Sequence, residues 1–191
     1  MNSSNDLLNR AQSLIERLEL LFTQERQAPD WSHIAYTWRK ERGLQAVTHP
    51  HQVRLDDLLC MERQKEEITR NTRQFVEGRG ANNVLLWGSR GTGKSSLIKA
   101  VLNAFSDRGL RLIEVQKHDL IDLSDIVDQF HNRPERFILF SDDLSFEGDD
   151  PGYKSLKAAL DGSIAAPPEN VLIYATSNRR HLLPEYMSEN L

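Results

Sequence analysis

Apolar positions along the chain follow two regimes, one spaced for helices and one continuous. Leu7, Leu8, Ala11, Leu14, Ile15, Leu18, Leu21 and Phe22 recur at heptad spacing and lay one stripe along a predicted helix. Asn5 or Asp6 caps its start, and Pro29 stops it. The run is too short to assign a coiled coil, so the stripe reads either as packing on its own domain or as docking a partner or a second copy. Residues 31–53, with Trp31, Ile34, Tyr36, Trp38 and then Leu44 to Val47, read as an irregular connection with a short extended piece. From Met61 to Glu77 a charged helix is predicted, with Ile68, Phe75 and Val76 inward and Gly78 and Gly80 ending it.

Past Gly80 come short runs at Val84–Trp87, Leu110–Val115, Phe137–Phe140 and Val171–Tyr174. All but the Leu110 run are continuously apolar, as parallel strands are when helices cover both faces of the sheet. Helical faces lie between them: Leu97, Ile98, Val101, Leu102 and Phe105, stopped by Gly109; Leu123, Ile126, Val127 and Phe130; and Leu156, Ala159 and Leu160, ended by Gly162. This alternation predicts an α/β fold with right-handed crossovers and four strands.

Length and composition narrow the classes. At 191 residues the chain is one domain, with room for an appendage. With 39% hydrophobic and 27% charged residues, disorder over most of its length is excluded. The net charge of −4 excludes a globally basic nucleic-acid face. A single cysteine, Cys60, cannot form an internal disulfide and fits a reducing, cytoplasmic setting. No apolar run approaches the ~20 residues of a membrane span, and the start lacks a basic leader, so no membrane partner is expected.

The chemistry is concentrated after the Val84 run. Gly88-Ser89-Arg90-Gly91-Thr92-Gly93-Lys94-Ser95 fits G-x-x-x-x-G-K-[ST]. Backbone N–H groups can touch a polyphosphate only where side chains are absent, hence the glycines. A helix opening at Lys94 presents unpaired donors and partial positive charge. Lys94 is placed to neutralise β- and γ-phosphates, and the Ser95 hydroxyl to hold Mg²⁺. Such a match arises by chance in on the order of one chain in a hundred of this length, and the strand-before, helix-after context is present. A second strand ends in Ser141-Asp142-Asp143, offering Asp142 as a metal partner and Asp143 to orient the attacking water. The last run ends in Thr176-Ser177-Asn178, where an amide can bond the γ-phosphate or the water.

With these motifs in place, the chain resembles an AAA+ ATPase, with Walker A at Gly88–Ser95, Walker B at Phe137–Asp143 and sensor 1 at Asn178. The wording from Asn83-Val84-Leu85-Leu86-Trp87-Gly88 through Arg133-Pro134-Glu135-Arg136 to Thr176-Ser177-Asn178-Arg179-Arg180 resembles the bacterial family catalogued as domain of unknown function 815, over about residues 44–191. The resemblance implies strand order 5-1-4-3-2, ATP and Mg²⁺ as ligands, and ring-like self-association of a full-length protein. It implies nucleotide contacts at Gly88, Ser89, Arg90, Gly91, Thr92, Gly93, Lys94, Ser95 and Ser96. Lys94, Asp143 and Asn178 take the catalytic roles, with Ser95 and Asp142 at the metal. Leu55, Leu58 and Leu59 resemble the stretch that lines the adenine pocket. The expected organisation is a helical arm and linker at 1–50 and a nucleotide-binding core at 51–191.

Two departures from the pattern matter. Most of the superfamily has Asp-Glu where this chain has Asp142-Asp143; the shorter side chain reaches roughly 1.5 Å less far, and misplacement of that size can cost ~100-fold in rate. Initiator and helicase-loader branches often carry Asp-Asp, so slow hydrolysis is expected. The chain also ends at Leu191 without a fifth strand, helical lid, sensor 2 arginine or arginine-finger segment, so a truncated core is expected; an intact native mass near 21.9 kDa would refute this.

Rivals are an ATP-gated adaptor with little turnover, a small-molecule kinase, and a GTPase suggested by Gln116-Lys117-His118-Asp119, one residue from N-K-x-D. His49, His51 and Cys60 match no standard metal spacing. Arg179, Arg180 and the acidic stretch Phe146–Gly152 read as partner contacts or solvated loops, and Gln116 as a polar relay to Asp143. The client, whether DNA, another protein or a regulatory complex, stays open.

Overall fold

The apolar runs form the predicted strands, and the segment before them adds two more. A computed structural model describes Arg10 and residues 12–15, 29–147, 150–161, 168–180 and 182. Its strands are β1 (Ala35–Arg39), β2 (Gly43–Ala46), β3 (Val84–Trp87), β4 (Leu110–Glu114), β5 (Arg136–Ser141) and β6 (Val171–Ser177). They form a six-stranded sheet in the order β2-β1-β4-β5-β6-β3. The helices are α1 (Glu62–Val76), α2 (Lys94–Phe105), α3 (Leu123–Asp128) and α4 (Pro151–Asp161). Every neighbouring pair is parallel except the β1–β2 hairpin.

The stretch β3-β6-β5-β4 reproduces the 1-4-3-2 part of the implied order. The expectation of four strands, with an irregular connection at 31–53, is corrected by the hairpin. Tyr36 and Trp38 point into the core and each is 1% exposed, while Thr37 between them and Arg39 after them are more exposed. Gly43, at φ +69°, closes the turn after Arg39-Lys40-Glu41-Arg42, where the Arg42 amide donates to Arg39 O at 3.0 Å. β1 then pairs with β4 in register Ala35↔Leu112. The sheet therefore begins at Ala35, inside the stretch predicted as arm and linker.

Strand alternation divides the core in two. Phe137, Leu139, Ile173, Ala175, Ile113, Tyr36 and Trp38 face α3 and α4, where Leu123, Ile126, Phe130 and Leu156 meet them. Ile138, Phe140, Leu172, Tyr174, Leu110 and Leu112 face α1 and α2, against Ile68, Phe75, Leu97, Ile98, Val101 and Phe105. Trp31 packs edge-on to Phe137 at 5.2 Å, and Phe130 stacks on Phe137 at 4.2 Å, which ties the chain before β1 to the centre of the sheet. The Tyr36 hydroxyl lies 2.6 Å from Asp30 O, and burial pushes its phenol up to about 12. On the opposite face the buried Tyr174 hydroxyl meets Thr72 Oγ1 at 2.8 Å and Asn71 Nδ2 at 3.0 Å.

Of the predicted N-terminal stripe, Leu14 and Ile15 are helical and exposed, at 60% and 54%. The other stripe positions and the Asn5 or Asp6 cap lie outside the described residues, as do Gly148, Asp149, Gly162 and 183–191. Phe146, read as part of a solvated or partner-binding loop, is instead 1% exposed, with Lys117 Nζ 5.0 Å over its ring. No helix among the described residues is long and apolar enough to cross a membrane.

If the hairpin is integral to the core, Trp38→Ala should destabilise the fold by about 3–5 kcal/mol. Urea unfolding monitored by circular dichroism measures this. A loss below about 1 kcal/mol would assign the hairpin to a loosely attached arm.

Candidate functional site

All the parallel strands point their carboxyl ends to one edge of the sheet, and the residues carrying chemistry converge there. β3 ends at Trp87, and the chain passes through Gly88–Gly93 into α2. Gly88, Gly91 and Gly93 have φ of +146°, +80° and +82°, a backbone that side chains oppose. A Cβ at Gly93 would lie in ordinary van der Waals contact with Met61 Cε, at 3.4 Å, so it is the positive φ that favours glycine there. Thr92 Oγ1 donates to Ser89 O at 2.9 Å and braces the loop. Gly93 is the N-cap of α2 and has no side chain, so the first-turn N–H donors stay open to an anion.

A closed ring of hydrogen bonds links this loop to the ends of β5 and β6. Lys94 Nζ donates to Gly88 O and Ser89 O, each at 2.8 Å, and to Asn178 Oδ1 at 3.3 Å. Asn178 Nδ2 in turn donates to Asp143 Oδ1. The Asp143 amide donates to Thr176 Oγ1 at 2.8 Å, and that hydroxyl donates to Asp142 Oδ1. Ser95 Oγ donates to the same Asp142 oxygen at 2.6 Å. Because Lys94 and Ser95 are consecutive, the ring closes. Asp142 and Asp143 are exposed, while Gly93, Lys94, Ser95 and Ser96 are half-buried and Ser89, Arg90, Gly91 and Thr92 exposed. The Ser95 hydroxyl and Asp142 carboxylate are hard oxygen donors in contact, a set that suits Mg²⁺ held with several waters.

Sequence reasoning named Lys94, Ser95, Asp142, Asp143 and Asn178, and the fold brings these five together. It passed over Thr176 and Ser177, which are 1% and 0% exposed at the end of β6. Ser177 Oγ donates to Leu144 O at 2.7 Å, and the Leu144 amide donates to Thr176 O at 2.8 Å. The signal for them was present, two hydroxyls directly before Asn178. Met61, beside Gly93, was likewise passed over as a site neighbour.

The remaining candidates disperse. Leu55 and Leu58 pack partly buried on the α1–α2 side, whereas Leu59 is 77% exposed. Lys117 pairs with Asp150 at 3.0 Å and Asp119 is buried, so the N-K-x-D-like stretch is engaged away from the loop. Gln116 makes no hydrogen bond to Asp143 among the described residues. The Arg180 guanidinium lies 5.8 Å over the Trp87 ring. No group of three or more His, Cys, Asp or Glu suited to a metal occurs among the described residues, His49, His51 and Cys60 included.

A cavity of about 660 Å³ lies at the other end of the sheet, where Arg136 begins β5 and Val171–Ile173 begin β6. Its lining includes Phe75, Arg79, His131 and Leu172 but none of the loop. Volume and convergent chemistry therefore point to different ends of the molecule. The loop is the candidate site, because a cation, carboxylates and open first-turn amides meet there.

Among solved structures the chain is similar to the Thermotoga maritima RuvB Holliday junction branch migration motor, at 21% identity and a TM-score of 0.48, over 69% of this chain and 43% of that one. It is similar to AMPPCP-bound DnaA from Aquifex aeolicus at 21% identity and a TM-score of 0.44, over 66% of this chain and 42% of that one. It is also similar to DnaI, at 24% identity and a TM-score of 0.45, over 67% of this chain and 70% of that one. The chain thus spans less than half the length of the RuvB and DnaA chains. No match is found among the curated proteins. A family model matches residues 31–191, most of the chain, and the protein belongs to that family, described as protein of unknown function (DUF815).

Proposed function

We propose that this chain binds ATP·Mg²⁺ at residues 88–96 and serves as an AAA+-type ATPase core, hydrolysing ATP slowly and coupling it to remodelling of a protein or nucleic-acid client. The observation that carries the reading is the hydrogen-bonded ring from Lys94 through Asn178, Asp143, Thr176 and Asp142 to Ser95, beside an open helix N-terminus. In it the loop amides bind the polyphosphate, and Lys94 exchanges the Gly88 and Ser89 carbonyls for phosphate oxygens. Ser95 and Asp142 would hold Mg²⁺, which when bound would supply charge neutralisation for the polyphosphate. Asp143 takes a proton from the attacking water, and Asn178 orients both that carboxylate and the γ-phosphate. Met61, beside Gly93, offers apolar surface for a purine. A cytoplasmic protein that assembles into a ring through this core completes the reading.

One residue favours a second reading, an ATP-gated adaptor with little turnover. Asp143 is shorter than the usual Glu, and its carboxylate is already bound by Asn178.

Two variants separate these outcomes. ATP·Mg²⁺ at 100 times its dissociation constant should stabilise the fold by ~2.7 kcal/mol, and Lys94→Ala should remove that gain in a thermal melt. Asp143→Asn should keep the stabilisation but lower phosphate release by about 10²-fold or more. Stabilisation in the wild type with release no faster than in Lys94→Ala would select the adaptor. No stabilisation of the wild type would overturn the site itself.

A further inference from the structure

We propose that the Thr176 hydroxyl is the positioning group for both acidic residues of the site: it aims the Asp142 carboxylate at Ser95 and holds the Asp143 backbone where a short side chain can reach Asn178. The inference rests on the ATP·Mg²⁺ reading above and adds to it a residue that touches neither phosphate nor metal.

Thr176 is 1% exposed near the end of β6, paired in register with Leu86 of β3. Its hydroxyl works in two directions, donating to Asp142 Oδ1 and accepting from the Asp143 amide at 2.8 Å. A hydroxyl is the small side-chain group that can donate and accept through one atom. Valine has the same shape and suits a buried strand at least as well, so packing and strand propensity do not account for the oxygen.

Two consequences follow for the carboxylates. Asp142 Oδ1 receives hydroxyl hydrogens from both Thr176 and Ser95, at 2.6 Å from the latter. An Asp side chain has a broad, soft χ2, and two donors on one oxygen restrict it. Among the described residues no hydrogen bond reaches the other Asp142 oxygen, which can face a ligand outside the ring. Asp143 has a φ of +53°, an uncommon conformation for a residue other than glycine. That conformation is held from both sides, by Thr176 Oγ1 on its amide and by Asn178 Nδ2 on its carboxylate. The next residue is fixed as well, with the Leu144 amide on Thr176 O at 2.8 Å and Leu144 O receiving Ser177 Oγ at 2.7 Å. The turn 142–144 is therefore stitched to the end of β6, and among the described residues Thr176 Oγ1 is the one side-chain atom bonded to both of its aspartates. The main polyphosphate contacts of the reading, the loop amides and Lys94, include no bond to Thr176. Loss of its hydroxyl should therefore weaken the metal-dependent part of nucleotide binding and spare the metal-free part.

The test titrates N-methylanthraniloyl-ADP into the full chain, once with Mg²⁺ and once with EDTA, and follows fluorescence. Hydrogen bonds to a charged group are worth enough that Thr176→Val should lower the affinity gain from Mg²⁺ by about tenfold or more. Its affinity in EDTA should stay within about twofold of wild type, and Thr176→Ser should keep both values. Thr176→Cys, compared with Thr176→Ser, removes the same methyl and so isolates the hydroxyl even if the valine variant does not fold. It should lose the Mg²⁺ gain that serine retains. Wild-type Mg²⁺ dependence in Thr176→Val or Thr176→Cys would overturn the positioning role. So would equal losses in Mg²⁺ and EDTA, or a serine variant as weak as the cysteine one. Absence of binding by the wild type in both conditions would instead overturn the ATP·Mg²⁺ reading.

Discussion

Hydrogen bonding of β6 between β3 and β5 is the constraint on which the site depends. The pairings Trp87↔Ser177 and Ser141↔Ala175 bring the ends of three strands, distant in sequence, to one edge of the sheet. Lys94 and Asn178 are 84 residues apart along the chain and touch only because β6 intervenes. Chains of parallel strands need helical crossovers, and those crossovers put α1 and α2 on one face and α3 and α4 on the other. With both faces covered, β5 and β6 are buried nearly throughout, so polar function can surface only at the strand ends.

The two buried hydroxyls that end β6 are stabilising because each finds a partner, whereas the buried Ser141 hydroxyl at the end of β5 has none among the described residues. Thr176 and Ser177 lie in the interior, where an unpaired hydroxyl costs about 1–3 kcal/mol, and both are bonded to the 142–144 turn. The strain of a left-handed Asp143, of order 1–2 kcal/mol, is offset within the same set of bonds. The site is thus continuous with the core. Its acidic residues take their geometry from a strand that is itself held by Tyr174, whose hydroxyl is fixed by Thr72 and Asn71 and whose phenol is raised by burial.

Legibility in the sequence followed burial. β5 and β6 were legible because strands covered on both faces are apolar without interruption, β3 because its four residues are all apolar although Leu85 and Trp87 are exposed at the sheet edge, and the loop stood out by its glycines at fixed spacing. The β1–β2 hairpin was missed because β1 mixes Tyr36 and Trp38 with Thr37 and Arg39, and the turn Arg39-Lys40-Glu41-Arg42 looks like solvated connection. Phe146 was obscured by its acidic neighbours, although Lys117 and the α4 side of the core enclose it. Thr176 was hidden for a different reason: threonine near a strand end is expected from propensity alone, and its task depends on a turn more than thirty residues away.

The loop edge and the cavity of about 660 Å³ at the opposite ends of the strands compete as places for a ligand. Amide proton–nitrogen NMR of the full chain during titration with ATP·Mg²⁺ distinguishes them directly. The account predicts shifts concentrated at residues 88–96, 142–143 and 176–178, with Gly91, Gly93 and Lys94 foremost. Shifts centred on Arg79, His131 and Arg136, or a spectrum unchanged at saturating nucleotide, would contradict it.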